Sequence, residues 1–168
     1  MAASGTYGSG KEYAQLIDIG QLGAICVKTL TLKPILGNRP PRLWETPSGM
    51  LNSIGLHNIG VETFLREKLP KLRAYRTRII VNVYGETPDD FVAVARELDG
   101  AEGISALEVN VSCPNVAKGG LDLGTDPASH PGFHRNLTPH IVLRGQFSHF
   151  AQHRFGAARI NKIWPYLL

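Results

Sequence analysis

The sequence has little cysteine, no long apolar run and, over its last quarter, no acidic residue at all. Its two cysteines, Cys26 and Cys113, stand far apart and in no metal-ligand spacing, which argues against a disulfide framework or a zinc site and fits a reducing compartment. No apolar stretch approaches the roughly 18 residues of a membrane span, and the N-terminus lacks the basic and apolar regions of a secretion signal. A soluble, cytoplasmic protein is expected. Hydrophobic residues make up 43% and charged ones 19%, a balance that speaks against the disordered and fibrous classes. At 168 residues the chain is long enough for one core, yet shorter than the roughly 250 residues of a usual eight-stranded β/α barrel.

The net charge of +4 suggests an anionic partner until its distribution is followed. All fourteen acids lie at or before Asp126 together with thirteen of the eighteen bases, so residues 1–126 carry a balance of −1. The basic excess belongs to Arg135, Arg144, Arg154, Arg159 and Lys162. A nucleic-acid partner is therefore not expected of the larger part.

Along the chain, Tyr13, Leu16, Ile17 and Ile19 predict a short helix over 12–22 with its exit at Gly20 to Gly23. Ala24 to Lys28 is an apolar, β-branched run that predicts a buried strand. Residues 32–58 are rich in Pro, Gly, Asn and Ser without a sustained period, and are expected to be largely loop; a loop of this length inside a compact domain is usually functional. Helical spacing returns over 61–75, with Pro70 set to bend or end it. Arg78 to Tyr84 predicts a second strand. Thr87 and Pro88 then provide an N-cap and a first helical residue for a helix to Leu98. Residues 106–111 predict a third strand. This alternation predicts an α/β protein with a parallel sheet, either a β/α barrel or a doubly wound sheet. Lys28, Asn82 and Asn110, all near C-terminal strand ends, favour the barrel, whose active-site groups lie there.

The same residues carry the candidate chemistry. Cys113 follows a strand, precedes Pro114 and stands among Asn110, Ser112 and Asn115; it is either a small buried apolar residue or, in that polar company, a base or nucleophile. Asn82 and Asn110 are amides in apolar strands, where an unbonded amide costs a few kcal/mol. They bond either a neighbouring backbone or a planar ligand rich in donors and acceptors, such as a flavin or a pyrimidine. Lys28 either reaches solvent or faces an anion. Asn52-Ser53-Ile54-Gly55-Leu56 offers an amide, a hydroxyl and exposed backbone, and Ala3 to Gly8 is a glycine-rich turn open to close approach; both are also ordinary loop compositions. Five of six histidines, His130, His134, His140, His149 and His153, fall in the tail at spacings that form no metal site.

In these motifs the segment from Ala3 to Pro127 resembles the class 1B dihydroorotate dehydrogenases. The matching stretches are Ala3-Ser-Gly-Thr-Tyr-Gly8, Val27-Lys-Thr-Leu-Thr31, Glu45-Thr-Pro-Ser-Gly-Met-Leu-Asn-Ser-Ile-Gly-Leu56, Ile80-Val-Asn-Val-Tyr-Gly85 and Leu107-Glu-Val-Asn-Val-Ser-Cys-Pro-Asn115. The resemblance implies a TIM-type barrel, of which residues 1–127 are about the N-terminal half. It implies FMN held by Ser4, Lys28, Thr29, Asn82 and Asn110, and dihydroorotate held by Lys28, Asn52, Ser53, Ile54, Gly55, Leu56 and Asn110. Cys113 becomes the catalytic base that takes a proton from C5 while a hydride leaves C6, giving orotate for pyrimidine synthesis. The family further implies an iron-sulfur/FAD electron-transfer subunit and a homodimer within a heterotetramer. Two departures accompany it. The family's first barrel strand is expected ahead of the Ala-Ser-Gly turn, where this chain opens one residue before, and the later lysine and phosphate-binding turns have no counterpart after Pro127.

Residues 128–168 form a second region, basic and rich in histidine, that resembles no family. Alternative readings are a non-catalytic remnant whose basic tail contacts nucleic acid and a flavin reductase of another pyrimidine. An acid-free run of this length is rare in folded segments, and the abrupt change predicts a shifted or truncated reading frame after Pro127. Resequencing the coding region is expected to reveal the shift; an intact frame whose product carries this tail by mass spectrometry overturns it.

Overall fold

The computed structural model describes residues 1–8, 11–111 and 144–145. Three parallel strands form the centre: β1 (Ala24–Leu30), β4 (Arg78–Val83) and β5 (Ile104–Val109), in the spatial order β1-β4-β5, with the two-residue β6 (Arg144–Gly145) parallel to β5 at the far edge. Cys26 stands opposite Ile80, Ile80 opposite Ala106 and Asn82 opposite Glu108. On the other side of β1, Ala2 makes a single parallel bridge to Ile25.

Because side chains alternate across a strand, this register divides the sheet into two unlike faces. Ile25, Val27, Ile79, Val81, Val83, Leu107 and Val109 turn to one face and are nearly inaccessible. They pack with Val61, Phe64, Leu69, Leu72, Phe91, Val94, Ala95 and Leu98 from the connecting helices, which form the core cluster with them. At about 1.5–3 kcal/mol for each large side chain buried, this layer is the main source of stability. Cys26, Ile80, Asn82, Ala106 and Glu108 take the other face.

The first crossover, residues 60–72, is three short helical pieces rather than one regular helix: α1 (Gly60–Thr63), a π-helical turn (Phe64–Lys68) and α2 (Leu69–Leu72). Pro70 sits in the first turn of α2 and has no N–H to continue an α-helical ladder, so the wider π turn just ahead of it absorbs the interruption. The expected bend at Pro70 thus takes the form of a π turn. The second crossover, α3 (Pro88–Leu98), matches expectation closely. The Thr87 side chain accepts from the Asp90 backbone N–H while the Asp90 carboxylate accepts from the Thr87 N–H, a reciprocal capping box.

One sequence expectation fails and another holds only in part. The helix over 12–22 is replaced by 3-10 turns at Lys11–Tyr13 and Ile19–Gln21. Asp18 accepts from the Gly20 N–H at 2.9 Å, a local bond that competes with helix, and of the apolar set only Ile19 is buried while Leu16 is 77% exposed. One apolar anchor does not make a stripe. Within the predicted loop, β2 (Leu43–Thr46) and β3 (Gly49–Asn52) form an antiparallel hairpin across a two-residue turn. All eight of its strand residues are exposed, so it leaves no alternation of apolar and polar residues to detect. The third strand also begins at Ile104, ahead of the expected start, and ends at Val109, short of Val111.

Among the described residues no helix is long and apolar enough to cross a membrane. Thr87→Ala removes the hydroxyl arm of the capping box and is expected to lower stability by about 1 kcal/mol, read as a shift in the urea midpoint with unchanged slope.

Candidate functional site

Parallel pairing sends the C-terminal ends of all three strands to one edge of the sheet, and the candidate residues collect there. Lys28 and Thr29 lie near the end of β1, Asn82 is the penultimate residue of β4, and Asn110 follows β5 directly. The Asn110 backbone N–H donates to the Val83 carbonyl at 2.9 Å, which locks its position against the end of β4. Asn82 and Asn110 are both buried, at 0% and 8% exposure, Thr29 is half-buried and Lys28 is exposed. An exposed ammonium is free of the desolvation cost of burial and can turn toward an anion.

Ser4 reaches this sheet through the N-terminal segment. Ala2 donates to the Ala24 carbonyl, its own carbonyl accepts from the Cys26 N–H, and the Gly8 carbonyl accepts from the Lys28 N–H at 2.9 Å. The glycine-rich turn is therefore laid along β1 by backbone bonds, with Ser4 half-buried within it.

Asn52 to Leu56 is held by a separate lattice. Asn38 donates from its backbone to the Ile54 carbonyl and from its side chain to the Ser53 carbonyl, and the Ser53 N–H donates to Arg42. Gly37, at φ +73°, passes so close that an added Cβ would lie 2.2 Å from the Ile54 oxygen. Gly55 and Leu56 both have positive φ, and for leucine this is a strained conformation of the kind that gathers at functional sites. At the base of the loop, Asn58 is buried. Its side-chain oxygen accepts from the Thr31 N–H, the Thr31 hydroxyl and the Gly60 N–H, while its nitrogen donates to the Leu56 carbonyl. This ties Leu56 to Thr31, immediately beyond β1, and so to the edge that carries Lys28 and Asn82. No side-chain hydrogen bond links residues 52–56 to Lys28 or Asn82. Cys113, Ser112 and Asn115 lie outside the described residues.

The sheet face beneath this edge holds a polar cluster that the sequence reading passed over. The Asn82 amide nitrogen donates to a Glu108 carboxylate oxygen in a short bond of 2.5 Å, and the Cys26 thiol also hydrogen-bonds to Glu108. Burial pushes the Cys26 thiol well above its usual range, and the neighbouring carboxylate adds to the effect by charge and by hydrogen bond. Cys26 is thus an inert thiol. The Asn82 carbonyl oxygen, in contrast, is buried without a partner among the described residues, as is the Tyr7 hydroxyl. A cavity of about 270 Å³ opens on the same face, but it is lined by Ala24, Arg78, Ile80, Ser105 and Ala106 at the N-terminal side of the strands and shares only Glu108 with the cluster. It is therefore a different place from the candidate site. Among the described residues no group of His, Cys, Asp and Glu could hold a metal ion.

A sequence profile of the dihydroorotate dehydrogenase family matches residues 1–137. The chain belongs to this family. Its relatives include proteins named dihydroorotate dehydrogenase B (NAD(+)), catalytic subunit, from Thermoanaerobacter sp. (strain X514), 55% identical over 127 residues, and from Desulforudis audaxviator (strain MP104C), 53% identical over 128. The counterpart from Geobacter sp. (strain M21) is 50% identical over 129 residues. These matches cover 76–77% of this chain and 42% of each relative, so the chain spans about two fifths of their length. The family profile extends ten residues beyond the boundary expected at Pro127.

Glu108, Asn58 and Thr31 were the residues missed as candidates, although Thr31 ends one of the matched motifs. Glu108 was open to the argument used for Asn82, since an acid in an apolar strand needs a partner. Cys26 is expected to resist iodoacetamide at pH 8 in the native chain and to react fully in denaturant, as scored by peptide mapping. Fast native alkylation would contradict the buried, protonated thiol.

Proposed function

We propose that this chain carries the N-terminal part of an FMN-dependent dihydroorotate dehydrogenase, oxidising dihydroorotate to orotate in pyrimidine synthesis. The observation that carries the reading is the identity of 50–55% to dehydrogenase catalytic subunits over 127–129 residues. The architecture supports it. The parallel order β1-β4-β5, with Ala2 bridged to the outer side of β1, is compatible with part of a TIM-type barrel. In this reading residues 1–127 are the N-terminal half of that barrel and 128–168 a separate basic, histidine-rich region.

The residues present fit a flavin. A buried, unpartnered amide oxygen costs about 1–3 kcal/mol, and Asn82 offers one at the same edge as Asn110, Lys28, Thr29 and Ser4. These five would hold FMN, which when bound supplies the hydride acceptor. Lys28, Asn110 and the backbone and side chains of Asn52 to Leu56 hold the substrate, with the lysine ammonium facing its carboxylate. The strain at Leu56 fixes the loop's backbone groups in advance of binding, which lowers the ordering cost. Cys113 is the base that removes the C5 proton. For that role it needs an environment opposite to that of Cys26, one that lowers rather than raises the thiol pKa. The words "catalytic subunit" in the relatives' names support a partner subunit; in this reading that partner is an iron-sulfur/FAD electron-transfer subunit, within a heterotetramer built on a homodimer of the catalytic chain, in the cytoplasm.

The coverage of 42% favours a second point: the 168-residue chain alone does not turn over. Purified alone, it is expected to be colourless and inactive. Joined after Pro127 to the remaining length of the Thermoanaerobacter relative, it is expected to be yellow, to bleach with dihydroorotate under anaerobic conditions, and to lose roughly 10²- to 10⁴-fold in rate in Cys113→Ser. A fused protein without flavin overturns the cofactor assignment. One that holds FMN but is not reduced by dihydroorotate overturns the substrate.

A further inference from the structure

The Asn82 amide is a planar group with a donor on one arm and an acceptor on the other. Which arm faces the ligand decides what the ligand must present. A carboxylate has only acceptors to offer, so the short bond to Glu108 forces the Asn82 nitrogen toward Glu108 and leaves the carbonyl oxygen on the opposite arm. That oxygen is the one found buried and without a partner. Asn82 is fully inaccessible, so the amide cannot settle the account by turning to solvent.

We infer that Glu108 is a positioning residue, which holds the Asn82 side chain in the one orientation that presents an acceptor to a ring N–H of the bound ligand. Cys26, on the same face of β1, bonds through its thiol to the same carboxylate, so Glu108 is tied to its neighbour β4 and, across it, to β1. Three adjacent strands thereby fix one amide. A hydrogen bond to a charged acceptor is roughly twice as strong as a neutral one, which gives the orientation its fixity. The identity of the ligand as FMN rests on the function proposed above; the orientation of the amide does not.

The test uses the 168-residue chain labelled with ¹⁵N and ¹³C in asparagine, with the Asn82 side-chain signals assigned from Asn82→Ser. In the free protein one Asn82 amide proton is expected far downfield and slow to exchange. Glu108→Gln keeps the size of the side chain but offers a donor as well as an acceptor, so the amide can turn over; the downfield signal is expected to collapse while the backbone spectrum persists. Adding millimolar FMN is expected to move the Asn82 side-chain carbonyl ¹³C of the wild-type chain while the amide protons stay locked. FMN affinity by the same titration is expected to fall about three- to tenfold in Glu108→Gln. A wild-type amide with ordinary shift and rapid exchange overturns the inference, as does a downfield signal that survives Glu108→Gln. FMN that binds without moving the carbonyl overturns the acceptor role. A locked amide in a chain that takes up no FMN supports the positioning by Glu108 and counts against the cofactor reading instead.

Discussion

Parallel pairing of β1, β4 and β5 is the constraint on which the site depends. Strands that run the same way must be joined by crossovers, and here the crossovers are the helical segments 60–72 and 88–98, both laid on one face. One consequence is a sheet with an apolar, covered side and a side free to carry polar groups. The other is a common C-terminal edge, to which every strand delivers its last residues. A slip of one residue in β4 would send Asn82 into the helix-covered core and Val81 or Val83 into the polar cluster, at the cost of an unsatisfied amide among apolar side chains. The hydrophobic core therefore sets the register, and the register sets the site.

The long segment between β1 and the first crossover is ordered by a different physics. It buries little apolar surface, and Leu36, Trp44, Met50 and Leu51 are largely exposed. What holds it is backbone hydrogen bonding and close packing of glycines. Asn58 satisfies three donors with one oxygen, and Gly37 and Gly60 admit contacts that no side chain would allow. Gly60 at φ +74° would place a Cβ 2.9 Å from the Pro34 nitrogen, so glycine is required there both by conformation and by space. A loop fixed in this way keeps the groups of Asn52 to Leu56 in place without an apolar core of its own.

These two kinds of order explain what could be read from the sequence. The strands and α3 were legible because apolar β-branched runs and a capping box leave compositional or positional marks: Ile79, Ile80, Val81 and Val83 make such a run, and Thr87, Pro88 and Asp90 announce a helix start. The hairpin Leu43–Asn52 was not legible, because a strand pair exposed on both sides has no apolar face to mark it. The N-terminal turns were misread because Leu16 and Ile17 sit at helical spacing yet face solvent, while Asp18 bonds locally. Asn82 and Asn110 were found by asking why an amide stands in an apolar strand. The same question applies to Glu108, and the register with Asn82 then reveals that the two side chains meet.

Cys26 and the residue expected as base, Cys113, are chemically identical groups of which opposite behaviour is asked. Cys26 lies mid-strand, buried against a carboxylate, and both influences hold the proton on sulfur. A cysteine base needs the reverse: access to substrate, and donors or positive charge to favour the thiolate. The buried mid-strand position beside a carboxylate offers neither. Val109 is the last residue of β5, so the segment Asn110 to Asn115 begins directly after that strand. The anionic Glu108 thus does opposite things within one strand: it keeps Cys26 inert below the site while turning the Asn82 carbonyl outward for a ligand above it. A catalytic cysteine placed beside Glu108 would be suppressed by the very carboxylate that orders the amide, which sets a physical condition on the proposed base: it must lie clear of this cluster.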